Sequence, residues 1–190
     1  MTRNTVILAA LAAVLPLACA ETMTEAAVPI EVKDAKNCYR LSPELYRSGQ
    51  PGDDGFKALE KLGLKSILNL REYHSDADEA EHTGLHLYRI KLAAGSVTRE
   101  ELMNCLLVIN GAPKPILVHC WHGSDRTGIV CAAYRIVMQG WKSEKALEEL
   151  MDERFGHHRS YYSNLAELIR TTDWKAFKAE FRKKRQAQGA

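Results

Sequence analysis

The chain has 190 residues, with 26 lysines and arginines against 24 aspartates and glutamates, a formal net charge of +2. A charge so nearly balanced excludes a protein built to hold nucleic acid through bulk electrostatics. The length is enough for one sizeable core, and no repeat, low-complexity tract or interior linker divides it into two domains.

Residues 1–20 place Arg3 ahead of an apolar run from Val6 to Leu17, followed by Ala18-Cys19-Ala20. A basic start, a short apolar stretch and small residues at its end make a secretory signal peptide, cut after Ala20 and too short for an ordinary membrane span. The alternative is a lipoprotein modified at Cys19, which Pro16 and Leu17 fit poorly. Either way the expected location is outside the cytoplasm, in a bacterial periplasm. Residues 21–36 are polar, rich in small side chains and without a core pattern, so they read as a flexible leader to a domain over 37–172.

CYRLSPELYRSGQP, at 38–51, reads as two short strands around a Ser-Pro turn. Asp53 is placed to cap a helix that turns Phe56, Leu59 and Leu62 inward and ends at Gly63. A strand, SILNL, follows at 66–70. The next stretch, YHSDADEAEHTG, is heavily charged, and Ser75 followed by Asp78 marks the start of a short exposed helix. Its His74, Asp76, Asp78, Glu79, Glu81 and His82 are spaced as a solvated face rather than as a metal site. LHLYRIKL, at 85–92, is a strand, and Thr98 with Glu101 forms a capping box for a helix whose Leu102, Cys105, Leu106 and Ile109 share one face.

Further helices are expected near 144–153, 163–170 and 174–184. Strands separated by helices, then a helical tail, imply an α/β fold: a single domain with a mainly parallel central sheet flanked by helices. In the tail, 173–190, Trp174, Phe177 and Phe181 lie on one helical face, with Lys175, Lys178 and residues 182–185 supplying positive charge. We read it as a basic C-terminal helix docked on its own domain. Peripheral contact with an anionic membrane surface or an acidic partner is the alternative.

The chemistry is concentrated at 116–128, ILVHCWHGSDRTG. Ile116, Leu117 and Val118 form a short buried strand entered through Pro113 and Pro115, and Ile129 onwards reads as a buried helix closed by Gly140. Cys120 precedes Arg126 by six positions in the loop between. A thiolate is the nucleophilic form of cysteine, and a helix N-terminus and a nearby arginine both favour it. The same backbone N–H groups can cradle phosphate oxygens, and the planar fork of Arg126 can grip two of them. Thr127 is placed to hydrogen-bond the sulfur as it departs, and His119 to order the loop rather than to transfer a proton. The combination points to a dianionic oxyanion, a phosphate monoester.

HCWHGSDRTG resembles the signature loop of the cysteine-dependent protein tyrosine and dual-specificity phosphatases. LYRSGQP followed by a helix and ILNLRE resembles the N-terminal half of the small atypical dual-specificity phosphatases of bacteria, fungi and plants. The resemblance implies a phosphocysteine intermediate, no metal or cofactor, and a separate acid that protonates the leaving oxygen. It implies catalytic roles for Cys120 and Arg126, substrate contacts from Trp121, His122, Gly123, Ser124 and Thr127, and support from His119 and Gly128. By the same analogy Asn69 and Arg71 end a central strand near the active face, where they contact substrate or satisfy loop backbone, as does Gln50.

The sequence departs from many relatives where they carry an acidic residue, on the loop after the strand at 85–92. Here that loop is AAGSV, without a carboxylate before Glu100 and Glu101, which belong to the capped helix. Asp125 is the first candidate for the acid, since myotubularin-like enzymes and some bacterial phosphatases resemble this chain in having an aspartate directly before the arginine. Positioning Arg126 or bracing the loop is the other role open to Asp125. Asp76 and Asp78 are the second choice, if the charged segment folds over the pocket, and His122 the third.

Trp121, His122 and Ser124 occupy loop positions where enzymes acting on inositol phosphates often carry lysine. That favours phosphotyrosine proteins as substrate, with phosphoserine and phosphothreonine also in range. The alternatives are an inositol phosphate or phosphoinositide phosphatase, a phosphate-binding module of low turnover, or, weakest, a sulfurtransferase, which the Arg-Thr-Gly argues against. FGHHRSYYSN, at 155–164, reads as an interhelix connection in preference to a pocket rim. Cys105 and Cys131 read as plain core residues, Cys38 is a conceivable partner for either, and no essential disulfide is expected.

Overall fold

The computed structural model describes residues 26–188. The expected signal peptide, its cleavage point and Cys19 lie outside the described residues. The strands are β1 (Val28–Pro29), β2 (Tyr39–Arg40), β3 (Leu45–Ser48), β4 (Ser66–Asn69), β5 (His86–Arg89) and β6 (Ile116–His119). They form one sheet in the order β1-β2-β3-β6-β4-β5. The first three pair antiparallel, whereas β3, β6, β4 and β5 run parallel. The expected α/β sheet is therefore present, with a short antiparallel edge.

Central strands buried on both faces need apolar side chains at successive positions, and ILVH and SILN supply them. Alternation divides those side chains between two cores. Ile67 and Leu117 meet Phe56 and Leu59 of α1 (Asp53–Lys61) on one face. Leu68, Ile116 and Val118 meet the larger core on the other. That core is built by α2 (Arg99–Gly111), α3 (Asp125–Met138), α4 (Ser143–Met151), α5 (Ser163–Thr171) and α6 (Trp174–Gln188). The capping box at the start of α2 is formed in both directions: Glu101 N donates to Thr98 Oγ1 at 3.2 Å and Thr98 N to Glu101 Oε2 at 2.7 Å.

Four local expectations change. Leu62 is 48% exposed, because α1 ends at Lys61 and the chain reverses through Gly63 at φ 99°. The leader expected at 21–36 is packed in its described part: Ala27 and Ala35 are buried, and Val28–Pro29 pairs with β2. The charged stretch after β4 forms turns rather than an exposed helix, and buries Asp76. Helix α3 starts at Asp125 rather than at Ile129, which places Arg126 and Thr127 in its first turn. The tail helix docks on the domain as expected: Phe177 and Phe181 enter the main core, and Arg99 Nη2 meets Glu180 Oε2 at 2.6 Å. Among the described residues no helix is long and apolar enough to cross a membrane.

One register matters most for the site. His119, the last residue of β6, pairs with Ser48 of β3 on one side and Asn69 of β4 on the other. Three parallel strands thus end together, and the loops that follow them meet at their carboxyl ends, where open α/β sheets bind ligands.

Candidate active site

The loop from Cys120 to Ser124 is held from outside by its carbonyl groups. Gln50 N donates to Trp121 O at 3.0 Å, Asn37 Nδ2 to His122 O at 3.0 Å, and Arg47 Nη2 to Gly123 O at 2.7 Å. With three successive carbonyls turned towards the scaffold, the intervening N–H groups face the other way. Those of Trp121, His122, Gly123 and Ser124 have no hydrogen-bond partner among the described residues. They lead into the first turn of α3, whose N–H groups also lack intrahelical acceptors. This concave run of donors is a ready site for a tetrahedral anion.

Close backbone contact requires two glycines here. Gly123 sits at φ 76°, and a Cβ on it would lie 2.5 Å from Gly49 N and 2.6 Å from Ser48 O. A Cβ on Gly49 would in turn press Trp121 O at 3.1 Å. The two glycines let the loop lie directly on the chain leaving β3.

Cys120 is almost fully buried at the opening of the loop. Arg126 is half-buried, and its guanidinium makes one long bond, from Nη1 to Leu92 O at 3.4 Å. Thr127 is fully buried, and its Oγ1 has no hydrogen-bond partner among the described residues. Behind Cys120, the wholly buried His119 touches Cys120 O through Nδ1 at 3.2 Å and Asp76 Oδ2 through Nε2 at 2.9 Å. The other oxygen of Asp76 accepts from Asn69 Nδ2 at 2.9 Å and Gln50 Nε2 at 3.0 Å. Burial pushes the Asp76 carboxyl up, but the bonds and charge of His119 and the bond from Gln50 outweigh it and hold the group below the ordinary carboxylate range.

Cys120, Asp125 and Arg126 line one cavity of about 360 Å³ together with Trp121, Tyr161 and Tyr162. His122 and His158 complete its wall. A second cavity, about 850 Å³, adjoins it at Trp121 and His122 and reaches Lys36, Gln50 and Arg71. The Arg71 guanidinium stacks 4.2 Å above the Trp121 ring, and its Nη1 donates to Gln50 Oε1 at 2.9 Å. Burial lowers the Arg71 pKa, and the neighbouring charge of Arg126 lowers it further.

A model for the tyrosine phosphatase family matches residues 35–186, which is most of the chain. The chain belongs to the tyrosine phosphatase family. The dual specificity protein phosphatase TpbA of Pseudomonas aeruginosa is 36% identical over 124 residues, covering 63% of this chain and 56% of TpbA. The inositol diphosphatase SIW14 of Saccharomyces cerevisiae is 30% identical over 148 residues, covering 73% of this chain and 52% of SIW14. The chain thus spans little more than half the length of these relatives. A crystal structure of a cysteine-to-serine variant of TpbA in complex with phosphotyrosine superposes with a TM-score of 0.75, at 28% identity, over 82% of this chain and 95% of that one. The SIW14 core catalytic domain, in complex with citrate, gives 0.67 at 29% identity, over 81% and 96% of the two chains.

In this member of the family the expected site residues fall into two groups. Cys120, Trp121, His122, Asp125 and Arg126 come together at the cavity, while Gly123, Ser124, Thr127 and Gly128 lie behind its surface. The candidate acids fare differently. Asp125 is buried, its Oδ1 accepting from His158 N at 2.9 Å and facing His157 Nδ1 at 2.7 Å, its Oδ2 facing His158 Nδ1 at 2.7 Å. Burial pushes this carboxyl up, yet the bonds from His157 and His158 prevail and hold it down at about 2. A group so firmly ionised is a poor proton donor near neutrality, and its bonds run to His157 and His158 and not to Arg126, so the geometry favours bracing of the neighbouring segment over the acid role. Asp76 is likewise held ionised, as the brace of His119, and it does not line the cavity. Asp78 is exposed and does not line it either.

His74, Asp76 and Glu79 bring one donor atom each within 4.8 Å of one another. Both oxygens of Asp76 are already engaged, and His74 Nε2 meets Glu79 Oε1 at 2.7 Å, so the cluster works as a hydrogen-bonded brace. Sequence reasoning missed Asn37, Arg47, His157 and His158, and it placed 155–164 away from the pocket that His158, Tyr161 and Tyr162 help to line. The paired histidines in FGHHRSYY were the available signal.

Proposed function

We propose that this chain hydrolyses phosphate monoesters through a phosphocysteine intermediate, with phosphotyrosine in proteins as its main substrate and phosphoserine or phosphothreonine within range. The observation that carries this is one cavity holding Cys120, Arg126 and the aromatic side chains of Trp121, Tyr161 and Tyr162. Trp121 and Tyr161 are 53% and 82% exposed, placed to flank an aryl group whose phosphate lies in the loop. The likeness to TpbA supports the same reading.

In the first half-reaction the Cys120 thiolate attacks phosphorus as the bond to the leaving oxygen breaks, and that oxygen takes a proton. The loop N–H groups and the Arg126 fork bind the three equatorial oxygens, whose geometry is better met in the trigonal transition state than in the ground state. In the second half-reaction water attacks phosphorus, the S–P bond breaks, and the Thr127 hydroxyl donates to the departing thiolate. No residue in this scheme needs a metal.

A second reading, an inositol phosphate or phosphoinositide phosphatase, is favoured by the adjoining cavity with Lys36 and Arg71 and by the likeness to SIW14. Phosphate release from phosphotyrosyl peptides, phosphoseryl peptides and inositol phosphates under reducing conditions separates the two. A kcat/KM highest on phosphotyrosyl peptides supports the first reading, and one highest on inositol phosphates overturns it. We also propose export to the periplasm through residues 1–20. N-terminal sequencing of the protein from a periplasmic fraction should begin at Glu21, and a chain retained in the cytoplasm with Met1 intact would refute it.

A further inference from the structure

We infer that His158, held by Asp125, is the group that gives the proton to the leaving oxygen. The inference rests on the phosphatase reading above and supplies the acid that reading needs. Two side chains face the oxygens of Asp125, and they differ in one decisive respect. The side chain of His157 is 1% exposed, and its Nε2 is buried without a partner, so it cannot reach substrate. The side chain of His158 is 42% exposed and lines the cavity with Cys120 and Arg126. Asp125 takes both the backbone N–H and the Nδ1 of His158, at 2.9 Å and 2.7 Å. With Nδ1 committed to the carboxylate, Nε2 is the ring nitrogen left for substrate, a histidine–carboxylate arrangement that fixes tautomer and direction.

The surroundings of His158 are titratable on every side: Asp125 from α3, His122 from the loop at 5.4 Å between ring centroids, and Tyr162 from its own segment at 6.4 Å. Cys120, Arg126 and Tyr161 line the same cavity. Among the described residues His122 is the one other imidazole lining that space, and no carboxylate besides Asp125 lines it. The proton balance is simple. As the S–P bond forms and the P–O bond breaks, the leaving oxygen keeps the electron pair and takes the proton from His158 Nε2. In the second half-reaction the neutral imidazole accepts a proton from the attacking water as the S–P bond breaks, which restores the starting state.

The test compares p-nitrophenyl phosphate, whose leaving group needs little help, with phenyl phosphate, whose leaving group needs a proton. The chains are wild type, His158→Gln, Asp125→Asn, His122→Gln and Cys120→Ser. His158→Gln should lose about 100-fold or more of kcat/KM on phenyl phosphate, within the usual range for general acid catalysis, and at most a few-fold of kcat/KM on p-nitrophenyl phosphate, since kcat/KM reports only the first half-reaction. Asp125→Asn should steepen the dependence on leaving group in the same direction. The kcat/KM on p-nitrophenyl phosphate shows that the His158, Asp125 and His122 variants are folded, and circular dichroism shows it for Cys120→Ser. An unchanged leaving-group dependence in His158→Gln, or its appearance in His122→Gln instead, overturns the assignment while leaving the phosphatase reading intact. A wild type inactive on both esters, or an active Cys120→Ser, overturns the phosphatase reading itself.

Discussion

Asp76 Oδ2 lies 2.9 Å from Nε2 of His119, joining the turn after β4 to the residue that precedes Cys120. Both side chains are buried, so the pair fixes the imidazole against Cys120 O in a place water does not reach. Asp76→Ala leaves the buried His119 Nε2 without its partner and takes one of two acceptors from each of Asn69 Nδ2 and Gln50 Nε2, and should destabilise the fold by about 2–3 kcal/mol. Urea unfolding measures it, and a loss below about 0.5 kcal/mol would show that Asp76 is not the brace described.

Asp125 makes a pH-dependent contribution whose sign is fixed. Its carboxyl lies at about 2 in the fold against an ordinary 3.8, so its stabilisation is fully present above the ordinary value and is lost as pH falls towards the folded one. The shift corresponds to roughly 2 kcal/mol. Wild type should exceed Asp125→Asn by about that amount at pH 6, and the gap should narrow steadily on acidification to about pH 2.5. A gap unchanged over that range, read from urea midpoints, would contradict the bonding around Asp125.

Gly123→Ala tests the anion cradle itself. The added Cβ meets Gly49 N at 2.5 Å in a backbone conformation, φ 76°, that side chains rarely adopt. The loop must shift, and calorimetry should show inorganic phosphate binding weakened about tenfold or more, the equivalent of ~1.4 kcal/mol. Gly111→Ala is the control: its Cβ meets nothing within 4 Å at the end of α2. It should leave phosphate binding unchanged and stabilise the helix by about 0.5–1 kcal/mol.

How much of this was legible follows the distances along the chain. Cys120, Arg126 and Thr127 act through local spacing in one strand–loop–helix unit, so they could be read directly, as could the capping box of Thr98 and Glu101. The residues that position them come from far away: Asn37 reaches His122 across 85 residues, Arg47 reaches Gly123 across 76, and Asp76 reaches His119 across 43. Such partners are chosen by the sheet order, which places β3 and β4 on either side of β6, and no local pattern encodes it. Leu62 shows the opposite limit. Its spacing from Leu59 fits an inward face, but the helix stops one residue short of it. Asp125 stood out by its position before Arg126, whereas its role depended on two histidines 32 and 33 residues later.

Arg135 and Glu149 tie α3 to α4 beneath the site. The guanidinium is fully buried, with Nε and Nη2 donating to the two carboxylate oxygens at 3.0 Å and 2.8 Å, and Nη1 donating to Leu41 O at 3.1 Å. Removing one partner strands a buried charge, so Glu149→Ala should cost about 3–5 kcal/mol. Arg135→Met combined with Glu149→Leu should recover a large part of that loss, because the uncompensated charge is gone. Equal losses in the single and double variants would refute the pairing.

On the proposed reading, Cys120 carries the phosphoryl group during turnover. Acid quenching of the wild-type protein during turnover of a phosphotyrosyl peptide, followed by peptide mass spectrometry, should find phosphate on the peptide containing Cys120, and none in Cys120→Ser. Phosphate release undiminished in Cys120→Ser, or the phosphoryl group found on another residue, would contradict the account.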